Sequence, residues 1–110
     1  MKDNELKKTL INHIKNQNIE EIKKFIKENK YENFGFTDNK GKTILHFAVE
    51  KKNEKTLPIL QELLKLDLDI NAIDENFETA IEVAQRLNNI PAAAILKHKL
   101  NLINKELYKT

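Results

Sequence analysis

Apolar residues fall along the chain in short clusters at helical spacing, divided by polar turns. Leu6, Leu10, Ile11 and Ile14 line one face of residues 5–15, which predicts an amphipathic helix. Asn16-Gln17-Asn18 interrupts it. Ile19, Ile22, Phe25 and Ile26 form a second stripe over 19–28, antiparallel to the first because the turn is short. Asp38-Asn39-Lys40-Gly41 reads as a tight turn in which Gly41 can take φ > 0. Thr43 then opens a short helix ending near Lys52. Thr56 is the expected N-cap of the next helix, which runs to about Lys65 with Ile59, Leu60, Leu63 and Leu64 buried. Pro58 fits its first turn, where a missing N–H loses no helical bond. Residues 67–74 alternate apolar and polar as a connector, and Thr79 opens a helix reaching about Leu87. Pro91 sits in the first turn of a last helix. There Leu96, Leu100, Ile103 and Leu107 continue one stripe with no later Gly or Pro to stop it.

The pattern repeats. Residues 38–48 read D-N-K-G-K-T-I-L-H-F-A and residues 74–84 read D-E-N-F-E-T-A-I-E-V-A. Asp38, Thr43 and Ala48 thus recur as Asp74, Thr79 and Ala84, each 36 positions on. A fixed period of this size points to a stack of helical units. Each unit exposes an apolar face that its neighbour buries. Ala48 and Ala84 are small enough for close helix approach. Leu45, Ile81, Leu63, Leu64, Ile95 and Leu96 are expected to fill the seams.

Composition narrows the function. With 110 residues, 40% hydrophobic and 33% charged, one folded, soluble domain is expected. The net charge of +2 and a single arginine, Arg86, do not make a nucleic-acid stripe. No cysteine is present, so disulfides and thiolate metal sites are excluded. The N-terminus lacks a signal-peptide core, and no apolar run approaches the roughly 20 residues that span a bilayer. These features favour a cytoplasmic protein, or one delivered into a host cell without an N-terminal signal.

Candidate chemistry is sparse. His13, His46 and His98 share no metal-ligand spacing. Thr43 and His46 read as a structural pair at a helix start. Asp67, Asp69 and Asn71 lie at the spacing of a calcium loop, but Ala72 holds the position that needs glycine. Carboxylate pairs such as Glu20-Glu21 read as solvated faces. No catalytic residue, cofactor or metal is expected.

The helix–turn–helix unit with its hairpin connector resembles the ankyrin repeat. D-N-K-G-K-T-I-L-H-F-A matches that family's D-x-x-G-x-T-P-L-H-x-A with Ile44 in place of Pro. Leu63-Leu64 matches its paired leucines, and D-I-N-A-I-D at 69–74 its connector. Asp67 stands where the family has Gly, and three residues near Asn53–Lys55 look inserted. In the third copy, Phe77 replaces the family's Gly and Glu82 its His. In the first, only Lys8-Thr9-Leu10-Ile11 remains of the T-P-L-H stretch. The resemblance implies an all-α ankyrin-type stack within a single domain, 1–110. Its repeats fall at about 5–37, 38–73 and 74–98, with a helical extension over 99–110.

It also implies a non-enzymatic module that binds a partner protein through the concave face of turn tips and first helices. Position by position, that face comprises Asn39, Lys40, Lys42, Glu50 and Lys51, then Glu75, Asn76, Phe77, Glu78, Arg86 and Leu87. Phe77 is either an exposed anchor or folded inward. Leu100, Ile103 and Leu107 either cap the stack of a monomer or join two copies as a homodimer. Two finer readings stay open: a bacterial or parasite effector, and an immunity or regulatory protein that inhibits a neighbouring enzyme or toxin.

Overall fold

The computed structural model describes residues 3–108, and among them it is built of helices without strands. Six helices follow in order: α1 (Asp3–Lys15), α2 (Ile19–Glu28), α3 (Ile44–Ala48), α4 (Thr56–Leu63), α5 (Ala80–Arg86) and α6 (Ile90–Leu107). Consecutive helices pack in pairs, α1 on α2, α3 on α4 and α5 on α6. The pairs stack into two rows, α1–α3–α5 and α2–α4–α6. The core follows those rows, from Leu6, Leu10 and Ile14 through Leu45, Val49, Leu60 and Leu63 to Ala84, Ala93 and Leu96.

Each helix start has a local cause. The Asn18 side chain accepts the Glu21 N–H at 3.3 Å and caps α2. Thr43 and Thr79 cap α3 and α5 in reciprocal capping boxes, with His46 and Glu82 reaching back to the cap N–H. α1 departs from the pattern. It runs unbroken from Asp3, so Lys8–Ile11 lie in mid-helix and the worn motif marks no helix start.

The middle layer corrects three boundaries. α3 ends at Ala48, short of Lys52. The Val49 and Lys51 carbonyls are turned toward the Asn89 amide, at 3.2 and 3.3 Å, and cannot continue a helix. Thr56 is not the N-cap of α4 but its first residue; Lys55 takes the cap position without a side-chain bond. The buried Thr56 hydroxyl donates to the Lys51 carbonyl and accepts the Asn53 N–H, pinning the inserted loop. α4 stops at Leu63, two residues before Lys65.

The seams fill unevenly. Leu45, Leu63, Leu64 and Leu96 are buried, while Ile81 and Ile95 are half-buried at the edge of the core. The last turns of α6 divide likewise. Leu100 and Ile103 pack against the core, with Ile103 and Lys99 facing Leu64–Leu68 and Ile70 across a shallow groove, but Leu107 is exposed. His13 is half-buried and meets Phe25 edge-on, and His98 is exposed.

Candidate functional site

The two hairpins are built alike. The Asp38 carboxylate accepts the N–H groups of Lys40 and Lys42, each at 2.9 Å. Asp74 does the same for Asn76 and Glu78 at 2.9 and 3.0 Å. This turn needs a left-handed residue at its fourth position: Gly41 has φ +77 and Phe77 φ +61. The hairpins also join each other. The Glu75 N–H donates to the Lys40 carbonyl at 2.8 Å, and His46 Nε2 donates to the Glu78 carbonyl at 2.8 Å. That carbonyl can only accept, so the proton sits on Nε2 and Nδ1 receives the Thr43 N–H. His46 is thus structural, as its place in the motif suggests.

Asp74 is buried between the hairpins. Burial alone would raise its carboxyl. The N–H groups of Glu78 and Asn76, with the nearby Lys42 charge, outweigh that and hold it below the ordinary carboxylate value.

The predicted binding residues divide into spent and free side chains. Lys42 pairs with Glu50 at 3.2 Å and lies over the Phe47 ring. Thirty-six residues on, the signs reverse: Glu78 accepts two bonds from Arg86, at 2.9 and 3.0 Å. That fork raises the Arg86 guanidinium above its ordinary value. Lys51 donates to the carbonyl of Lys15 in the first layer and is a strut. Asn39, Lys40, Glu75, Asn76, Phe77 and Leu87 are exposed and, among the described residues, make no side-chain hydrogen bond or ion pair. Phe77 is 79% exposed, so the outward of its two placements is the one adopted.

One set of residues escaped the pattern of apolar stripes. Gln17, Asn53 and Asn89 also lie 36 apart, and each reaches across a layer. Asn53 donates to Gln17 at 2.7 Å, Gln17 to Thr56 at 3.5 Å, and Asn89 to the middle-layer carbonyls described above. Their common spacing was the signal for them. Among the described residues, no three His, Cys, Asp or Glu side chains converge to hold an ion, and no helix is long and apolar enough to cross a membrane.

A family model described as ankyrin repeats in three copies matches residues 10–106. The crystal structure of EF0377, an ankyrin repeat protein, superposes with a TM-score of 0.71 at 24% identity. The match covers 80% of this chain and 45% of that one, and at this identity it is a likeness of fold. No curated protein matches the chain.

Proposed function

Since the chain belongs to the ankyrin repeat family, we propose that it is a non-enzymatic module that binds a partner protein through its hairpin tips and the α1–α3–α5 row. Ankyrin repeats are in general protein–protein interaction modules. The observation that carries the reading here is Phe77, an aromatic held almost fully in water at the tip of the last hairpin. Aromatics are enriched where partners anchor. Asn39, Lys40, Glu75, Asn76 and Leu87 supply the free groups around it. Lys42, Glu50, Glu78 and Arg86 form two neutral ion pairs that a partner would meet as a flat polar ground. Lys51 contributes mainly by holding the layers.

Capture from the source cell tests this, with the chain as bait beside a Lys40→Glu/Leu87→Glu double variant. Among the described residues neither side chain makes a hydrogen bond or ion pair and both are exposed, so the variant should fold. A partner that the parent retains and the variant loses supports the face. A partner retained equally by both places the site elsewhere. Capture from the source cell of a toxin or enzyme that the chain then inhibits favours the immunity reading; capture of a protein from a host-cell lysate instead favours the effector.

A further inference from the structure

Charge is unevenly spread along the α1–α3–α5 row, and one ring gathers the excess. Phe47 of α3 is buried where the middle layer meets the first. Lys15 Nζ, from the end of α1, lies 5.1 Å from its ring centre, and Lys42 Nζ, from the middle hairpin, lies 5.4 Å from it. The π-system attracts cations, so Phe47 draws ammonium groups from two layers to one place. A third stands beside them, since Lys51 Nζ donates to the Lys15 carbonyl at 2.5 Å. A carbonyl takes that bond without cancelling the charge.

Little answers these cations within the chain. Glu50 pairs with Lys42 at 3.2 Å. The Asp38 carboxylate is turned into its own hairpin, where it accepts the Lys40 and Lys42 N–H groups. Lys15 is exposed and, among the described residues, makes no ion pair. Both walls of this seam are internal layers of the chain. Thirty-six residues on, Lys42 and Phe47 are replaced by Glu78 and Val83. There Glu78 is matched by Arg86, and the exposed Glu75 adds a second carboxylate. The row therefore runs from positive at its first seam to negative at its last hairpin.

The geometry points to an acidic segment of the partner protein, with Asp or Glu at alternate positions, docked over the Lys15–Phe47–Lys42 seam. Alternate side chains of an extended segment share one face at a spacing of roughly 7 Å. Two cations that each lie about 5 Å from one ring centre can have that separation. Successive carboxylates then meet Lys15 and Lys42, with Lys51 alongside. Separate lysines suit a row of carboxylates, whereas forked recognition of a phosphate favours arginine, and the sole arginine is held by Glu78. Glu75 and Glu78 repel such a segment from the last hairpin, which leaves Phe77 to another part of the partner.

The inference rests on the reading of the chain as a binding module and assigns its partner's chemistry. Isotope-labelled chain titrated at low salt with a blocked peptide of alternating Glu and Thr tests it, with matched Gln–Thr and Lys–Thr peptides and a single-stranded oligothymidine as controls. Amide shifts should cluster at residues 14–16, 42–43 and 47–51 and should fade at high salt. Lys15→Glu should weaken binding at least about fivefold. Glu50→Gln removes the competing carboxylate and should tighten binding at least about twofold, a gain that unfolding cannot produce. The inference is overturned if millimolar Glu–Thr peptide moves no amide, if the Gln–Thr peptide binds as well, if the oligothymidine binds more tightly, or if Glu50→Gln brings no gain. Shifts centred on residues 75–82 would overturn it too, while leaving the proposed face standing. Failure of the face itself is read separately, by equal capture with the Lys40→Glu/Leu87→Glu variant.

Discussion

His46 and Glu82 occupy the same position in successive helices, and what separates them is what lies beyond. Both close a capping box, but His46 also bonds the next hairpin through Nε2. His46→Ala strips the Glu78 carbonyl of a buried donor and should cost about 1–3 kcal/mol. Glu82→Ala removes only a capping contact and should cost about 1 kcal/mol or less. Urea unfolding of the two variants checks this, and equal losses would remove His46 from its bridging role. Asp74 makes a second prediction. Its folded-state pKa is lowered, so the ionised carboxylate stabilises the fold above the unfolded value of about 4. That contribution fades as pH falls through the lower native value. The stability gap between parent and Asp74→Asn should therefore be full near neutrality and close below about pH 4. A gap constant down to the acid limb would contradict the assignment.

Among the elements, those whose cause is local could be read from the sequence. α2 follows from a cap and one apolar stripe, and α5 from a Thr and a Glu three residues apart. The middle layer could not be read so fully because its boundaries are set from outside it. Thr56 looks like a cap, but its hydroxyl serves the Lys51 carbonyl and the inserted loop. α3 stops where the Asn89 amide, 40 residues away, takes the Val49 carbonyl. The candidate face was legible as a list of positions, yet the list did not distinguish Lys42 and Glu50, which are paired, from Lys40, which is free. Pairing depends on rotamers that spacing alone does not give. The long-range control of α3 has a measurable consequence. Asn89 is buried, and Asn89→Ala should cost about 1–3 kcal/mol. Its loss should also speed amide exchange near the end of α3 as well as at the start of α6. Faster exchange confined to α6 would show that the middle helix ends for a reason of its own.

For the whole molecule, the two rows of helices make the middle layer a shared wall. α3 packs against α1 and α5, and α4 against α2 and α6. The outer side of the third layer reads differently from that wall. Gln85 stands where Val49 is buried and Glu82 where His46 is buried, and both are exposed. Leu63 lies fully buried in the wall, so the cavity left by Leu63→Ala weakens seams on both sides. A loss of about 2–5 kcal/mol is expected, a large part of the roughly 5–15 kcal/mol of a typical domain. Because neighbours stabilise one another, the flanks should melt with the middle in one transition at a lower temperature. Leu107 gives the contrast. It lies at the end of α6 beyond the packed residues Leu100 and Ile103, and Leu107→Ala should change stability by no more than about 0.5 kcal/mol. Thermal melts followed by helix signal, with amide exchange read in each layer, separate the cases. If Leu63→Ala released the middle layer while α1 and α6 kept their protection, the stack would be two independent ends rather than one cooperative unit.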